Sequence, residues 1–207
     1  MQQFLLQEHQ AIEADTERLR QEGATRLNIL VALIAGLAAA TVAVITGANI
    51  TSATKTAVGY GALASVLIYT LLCYSYFIDR EITTDSNFRA LSRIRRYYVN
   101  LYPAASDYIS WSTHDGATHQ LTNNRSFVLH AVRHLIAIQV AAGVGIELAA
   151  VGVGRLVSIL AAVASYGLST LALRRWSNRR FGNAAKLAAE RAKFPGLTTP
   201  ARETLQE

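Results

Sequence analysis

Charge is what this sequence has least of. Only 16% of its 207 residues are Asp, Glu, Lys or Arg, against 51% hydrophobic, where a soluble domain carries about 25% charged residues. So apolar a chain is neither disordered nor collagen-like. Its apolar residues come in blocks, which argues against an ordinary soluble domain. Cysteine is nearly missing too. Cys73 is the single thiol, so there is no disulfide framework and no cysteine zinc site. Catalytic signatures are also absent: there is no P-loop, no G-x-S-x-G, no kinase set and no pair of intramembrane carboxylates.

What is present is a series of membrane-length apolar stretches. A bilayer core of about 30 Å needs roughly 20 apolar residues in a helix. Residues 27–54 contain no charge and are apolar to about residue 47. Residues 56–78 are again free of charge. The block from Phe127 to Leu173 is too long for one span and suits two, with the break at Gly152-Val153-Gly154-Arg155, where glycines permit a tight turn. The expected fold is all-α: a four-transmembrane-helix bundle of two hairpins, with spans at 27–47, 56–78, 128–150 and 155–174. A soluble four-helix bundle would keep a polar face on each helix; LNILVALIAGLAAATVAVITG has none. Residues 1–26, with five acids and three arginines, do not read as a signal peptide's basic leader.

Basic residues set the orientation. Arg18, Arg20 and Arg26 precede the first span, and Lys55 alone lies between the first two. Arg80, Arg89, Arg93, Arg95, Arg96 and Arg125 lie between the second and third. Arg155 alone lies between the last two, and eight residues from Arg174 to Arg202 follow. The alternation places both termini and the middle segment in the cytoplasm, in a bacterial inner membrane. Tyr74, Tyr76, Phe77, Phe127 and Trp176 fall at the cytoplasmic ends, where amphipathic rings favour the headgroup zone. The net charge of +6 and pI near 9.7 then read as topology, and no nucleic-acid partner is expected.

Three cytoplasmic parts follow: 1–26, 79–126 and 175–207. In the first, Leu5, Ile12 and Leu19 recur every seven residues, as a short coiled-coil seam or as a helix packed on its own protein or on the membrane surface. In the second, Thr83, Thr84 and Asp85 offer a helix cap. Phe88, Leu91, Ile94, Tyr98 and Leu101 then form an apolar stripe ended by Pro103. Arg89, Arg93, Arg95 and Arg96 make this a basic amphipathic helix. Contact with anionic lipid is its simpler reading; recognition of a phosphate-bearing ligand is the sharper one. In the third, a short Ala-rich helix is expected from about residue 183 to 193, ended by Pro195-Gly196.

Two groups of odd residues remain. Four of the five histidines, His114, His119, His130 and His134, fall within 21 residues. His130 and His134, four apart, share one helix face and form a workable metal pair, although Arg133 between them disfavours a cation and polar contacts at the membrane interface explain them as well. The other group lies in the third span: Arg133, Gln139 and Glu147. An intramembrane acid usually faces a partner or water. Gln139, Gly143 and Glu147 fall near one face, which suits an ion path or a subunit seam. Glu147 is also near enough to the outer end to reach water or Arg155. Small residues at four-residue spacing, Ala32, Gly36 and Ala40 with Ala35, Ala39 and Ala43, and Gly61 with Ser65, allow close helix packing within the bundle or between subunits.

The charged helix EHQAIEADTERLRQEGATRLNIL running straight into a hairpin, followed by FRALSRIRRYY, resembles the layout of small bacterial membrane effectors of antiphage defence, SLATT-type proteins among them. The resemblance covers residues 7–94, and the second hairpin lies outside it. It implies a homo-oligomer that perturbs the inner membrane when a cytoplasmic protein partner or anionic signal acts on it. The expectation is therefore a non-enzymatic membrane effector or sensor without a cofactor. The alternatives are a small channel or transporter using Glu147 and Gln139, and a metal-dependent membrane enzyme using the cluster from His114 to His134.

Overall fold

A computed structural model of the chain describes residues 2–46, 51–104, 113–116 and 126–193. Among these residues the regular structure is helical, with four long helices and no strand. They are α1 (Gln2–Thr46), α2 (Ser52–Leu101), α3 (Phe127–Ala150) and α4 (Arg155–Glu190). All four are long and apolar enough to cross a membrane.

Two helices run further than expected. α2 does not restart at Thr83-Thr84-Asp85. No glycine or proline interrupts residues 62–102, so nothing breaks the backbone ladder. The Thr83 hydroxyl donates to the carbonyl of Asp79 within the helix (3.0 Å). α4 likewise continues to Glu190, absorbing the start of the separate helix expected from about residue 183. Pro195-Gly196, expected to end that helix, lies outside the described residues.

The chain divides into two compact units, and α1, α2 and α4 contribute residues to both. The apolar unit comprises Glu22–Ile78 and Ser126–Ser177. Its core holds Leu30 from α1; Val66, Cys73, Tyr74 and Phe77 from α2; and Leu129, Val132, Ile136 and Ala137 from α3. Burial is uneven. In the apolar stretches of α2 and α3, 28% and 33% of residues are buried, against 6% in α1 and in α4. α2 and α3 pack closely because Gly143 offers no side chain: a Cβ there would stand 3.2 Å from Leu63 Cδ2.

The connection between α3 and α4 turns on Gly152, whose φ is +82°. The amide of Val153 bonds the carbonyl of Leu148 (3.1 Å), and that of Gly152 bonds the carbonyl of Ala149 (3.2 Å). This is the Schellman pattern, which needs a left-handed residue. At the start of α2, Thr51 caps the helix by accepting from the amide of Thr54 at its hydroxyl (3.3 Å).

The charged unit comprises Met1–Gln21, Asp79–Arg125 and Asn178–Glu207. Its apolar centre is small: Leu91 and Ile94 of α2 with Phe181 and Ala188 of α4. Polar contacts carry the rest. Asn87 donates to Asp15 (3.0 Å), and Arg180 pairs with Asp79. The stripe on α2 is therefore largely covered by the protein: Leu91 and Ile94 are buried, Phe88 and Tyr98 are half-buried, and Leu101 is exposed.

Candidate functional site

The four arginines of α2 have different surroundings. Arg89 sits one helical turn after Asp85 and bonds its fully buried carboxylate at 2.9 Å. Arg93 pairs through Nε with Asp115, also fully buried. Its Nη2 donates to the carbonyl of Arg191 (3.0 Å), and the same carboxylate of Asp115 accepts from the amide of Lys193 (3.0 Å). Asp115 thus fastens α2 to the end of α4 within the charged unit. Arg95 has interactions of its own. Arg96 keeps a buried Nε without a partner. Carboxylates from the same unit already occupy the Arg89 and Arg93 side chains, so the free positive surface is smaller than four arginines suggest. Arg125, counted with the same segment, lies outside the described residues.

The histidines are held one by one. His130 Nδ1 lies 2.8 Å from the carbonyl of Ser126. His134 Nδ1 lies 2.7 Å from the Tyr166 hydroxyl on α4, with the two rings stacked 6.0 Å apart. His114 is exposed, and His119 lies outside the described residues. Among the described residues no three His, Cys, Asp or Glu side chains come together as a metal would require.

The polar residues of α3 sit in three settings. Arg133 is 7% exposed, and its Nε has no partner. Glu147 is exposed and faces the Tyr60 hydroxyl of α2. Gln139 is 8% exposed, and its Nε2 donates to the Thr70 hydroxyl at 3.2 Å. Thr70 in turn donates to the carbonyl of Val66 (2.7 Å). The Gln139 carbonyl, Oε1, is left without a partner.

Gln139 also lines a cleft of about 620 Å³ formed by α1, α2 and α3, within the range of about 300–1,000 Å³ usual for ligand sites. Ile34 and Leu37 of α1, Gly59 and Leu63 of α2, and Leu135 of α3 supply much of its apolar wall. Tyr60 and Ile146 line the cleft near one end of the span; Val66 and Gln139 line it nearer the middle. Thr41, Lys55, Thr56, Tyr60 and Gln139 are its polar members, and the rest of the lining is apolar.

Other polar ties close the apolar unit. Tyr74 donates to the carbonyl of Leu173 (3.1 Å), and its ring meets Trp176 at 5.5 Å. Tyr76 donates to Glu22 (3.1 Å) while the Arg26 guanidinium lies 4.0 Å from its ring centroid, a cation–π contact. Sequence reasoning placed these rings at the membrane surface and did not find their partners. The roles of Asp85, Asp115 and Thr70 were missed as well. Only the Asp85–Arg89 spacing of four gave a local signal. No family model, curated protein or solved structure matches the chain.

Proposed function

We propose that the chain is a four-span protein of a bacterial inner membrane, with both termini and the middle segment in the cytoplasm. In this reading it is a homo-oligomeric membrane effector or sensor. The charged unit receives a cytoplasmic partner or signal, and the apolar unit acts on the bilayer. One observation carries the reading: α1, α2 and α4 are each charge-free and apolar along one part and charged along another, and the charged parts gather into a compact unit of their own. The distribution of Lys and Arg supports the orientation. The sparse burial of α1 and α4, 6% each, supports contact with lipid and with further copies. Antiphage defence is the setting that the resemblance to SLATT-type layouts suggests.

Two measurements test this. For topology, single cysteines replace Glu8, Ser52 and Asn183, all exposed, in a Cys73→Ser background. A membrane-impermeant maleimide applied outside intact spheroplasts should label position 52. Positions 8 and 183 should label only after permeabilisation, and the reverse pattern would overturn the orientation. For effector action, the chain is reconstituted in phosphatidylethanolamine–phosphatidylglycerol vesicles loaded with dye. The unaltered chain should retain the dye, and Asp115→Ala, which frees Arg93 and the end of α4, should release it. Equal retention by both would refute signalling from the charged unit to the bilayer.

A further inference from the structure

The apolar unit carries a cation that nothing within it neutralises. Arg133 is the seventh residue of α3 and is 7% exposed. Among the described residues no hydrogen bond or ion pair engages its guanidinium. Of its three nitrogens only Nε is both sealed from solvent and unpartnered. The two Nη atoms therefore keep accessible surface, and a group from outside the unit can reach them. The unit itself, Glu22–Ile78 with Ser126–Ser177, holds two acids, Glu22 and Glu147. Glu22 accepts from Tyr76 (3.1 Å). Glu147 stands roughly 21 Å further along α3 at 1.5 Å per residue. A cation so far out of water is costly without an anion.

Position selects the anion. α3 has 24 residues, roughly 36 Å, and overhangs a hydrocarbon core of about 30 Å only slightly. Its first turn therefore falls at headgroup level. Helical side chains lean toward the N-terminus, which carries the Arg133 guanidinium back over the turn of Leu129 and His130. That end of the helix invites negative charge. Ser126 makes no side-chain cap bond, and no acid stands in the first turn. The first amides of a helix have no partner within it, and the dipole favours an anion there. Arg133 is also close enough to Tyr74 for its charge to act on that hydroxyl. Tyr74 packs against Trp176, and such rings favour the headgroup zone. Phosphate is the anion a bilayer presents at this depth, and its several oxygens can meet a guanidinium and helix amides together.

We propose that Arg133 and the first turn of α3 bind a phosphate oxyanion, carried by a membrane phospholipid or by a soluble phosphate. The site rests on the membrane-spanning reading and needs neither the orientation nor the effector action. It belongs to the apolar unit and is separate from Arg89 and Arg93 of α2, which carboxylates already engage.

The test uses the full chain in dodecyl maltoside, with binding read by native mass spectrometry. The probes are dioleoyl phosphatidylglycerol, diolein and inorganic phosphate. Diolein has the same acyl chains and no phosphate. Phosphatidylglycerol should bind the unaltered chain about ten-fold more tightly than diolein, as one charged hydrogen bond gives, and Arg133→Leu should abolish that preference. Arg174→Gln combined with Arg175→Gln, both exposed on α4, should keep it. Displacement of phosphatidylglycerol by inorganic phosphate would identify a soluble phosphate as the ligand; resistance to it would identify the lipid.

Equal binding of phosphatidylglycerol and diolein by the unaltered chain, with no binding of inorganic phosphate, would overturn the proposal. An undiminished preference in Arg133→Leu would overturn it too, and assign the lipid to the surface arginines. If Arg133→Leu fails to fold, Arg133→Gln takes its place in the same assay. Carbonate extraction of membranes holding the unaltered chain tests the spanning reading separately. Release would remove that reading, whereas a retained chain without affinity for phosphate would remove this site alone.

Discussion

The two units handle polar groups in opposite ways. In the charged unit the buried carboxylates are matched: Asp85 to Arg89, Asp115 to Arg93 and to the amide of Lys193. In the apolar unit, where each unpaired group costs more, Gln139 Oε1 and Arg133 Nε are left without partners. Matched charges mark contacts that hold helices together. Unmatched groups on otherwise apolar helices mark places where packing is not the whole account. Arg96 blurs the contrast, with an unpartnered Nε in the charged unit.

The contrast can be broken by substitution. The largest effect is expected from Asp115→Ala, which strips a fully buried acceptor from Arg93 and from the Lys193 amide. Loss of a charged hydrogen bond costs about 1.5–3 kcal/mol. Limited proteolysis should cut the end of α4 sooner than in the unaltered chain, and an unchanged digestion pattern would show that Asp115 fastens nothing. Gly143→Val should follow, because its side chain meets Leu63, and overpacking of this kind costs about 1–3 kcal/mol. Thermal unfolding in detergent should show a lower midpoint, while Gly145→Ala, whose Cβ would meet Ala162 at 3.6 Å, should leave it nearly unchanged.

Arg133→Leu sharpens the other side. Replacing an incompletely paired buried charge by an apolar group is often neutral or stabilising, so the midpoint should hold or rise. A fall of several degrees would mean that Arg133 has a partner that matters. Smaller still is Arg18→Ala. The pair with Asp15 is on the surface, with Arg18 68% exposed, and such pairs contribute about 0–1 kcal/mol. Glu147→Gln in proteoliposomes should leave ion flux where it was, since Glu147 sits exposed beside Tyr60 and the adjoining cleft is mostly apolar. A loss of flux would favour the transport reading.

Helix content and the α3–α4 turn were legible from one chain, because both depend on local properties. Apolar length makes a helix in a membrane setting, and Gly152 permits the left-handed turn. The continuity of α2 was also written locally, in the missing glycines and prolines after residue 61, but a good cap at Thr83 to Asp85 hid it. A cap residue starts a helix only where the preceding backbone is free to leave it. The site was less legible. Gln139 could be singled out as a polar residue in an apolar span. Its bond to Thr70, 69 residues earlier, depends on how α2 and α3 pack, and no periodicity reports that. The arginines of α2 show the same limit, since spacing revealed Arg89 with Asp85 but not Arg93 with Asp115.

Cys73 is 1% exposed and is the chain's single thiol. A thiol reagent small enough to enter the bilayer can react with it only when α2 separates from its neighbours. The rate of its modification therefore counts excursions of the bundle away from its closed packing, and does so in the natural sequence. Any signal that loosens the apolar unit should quicken this reaction, and any ligand that tightens it should slow it.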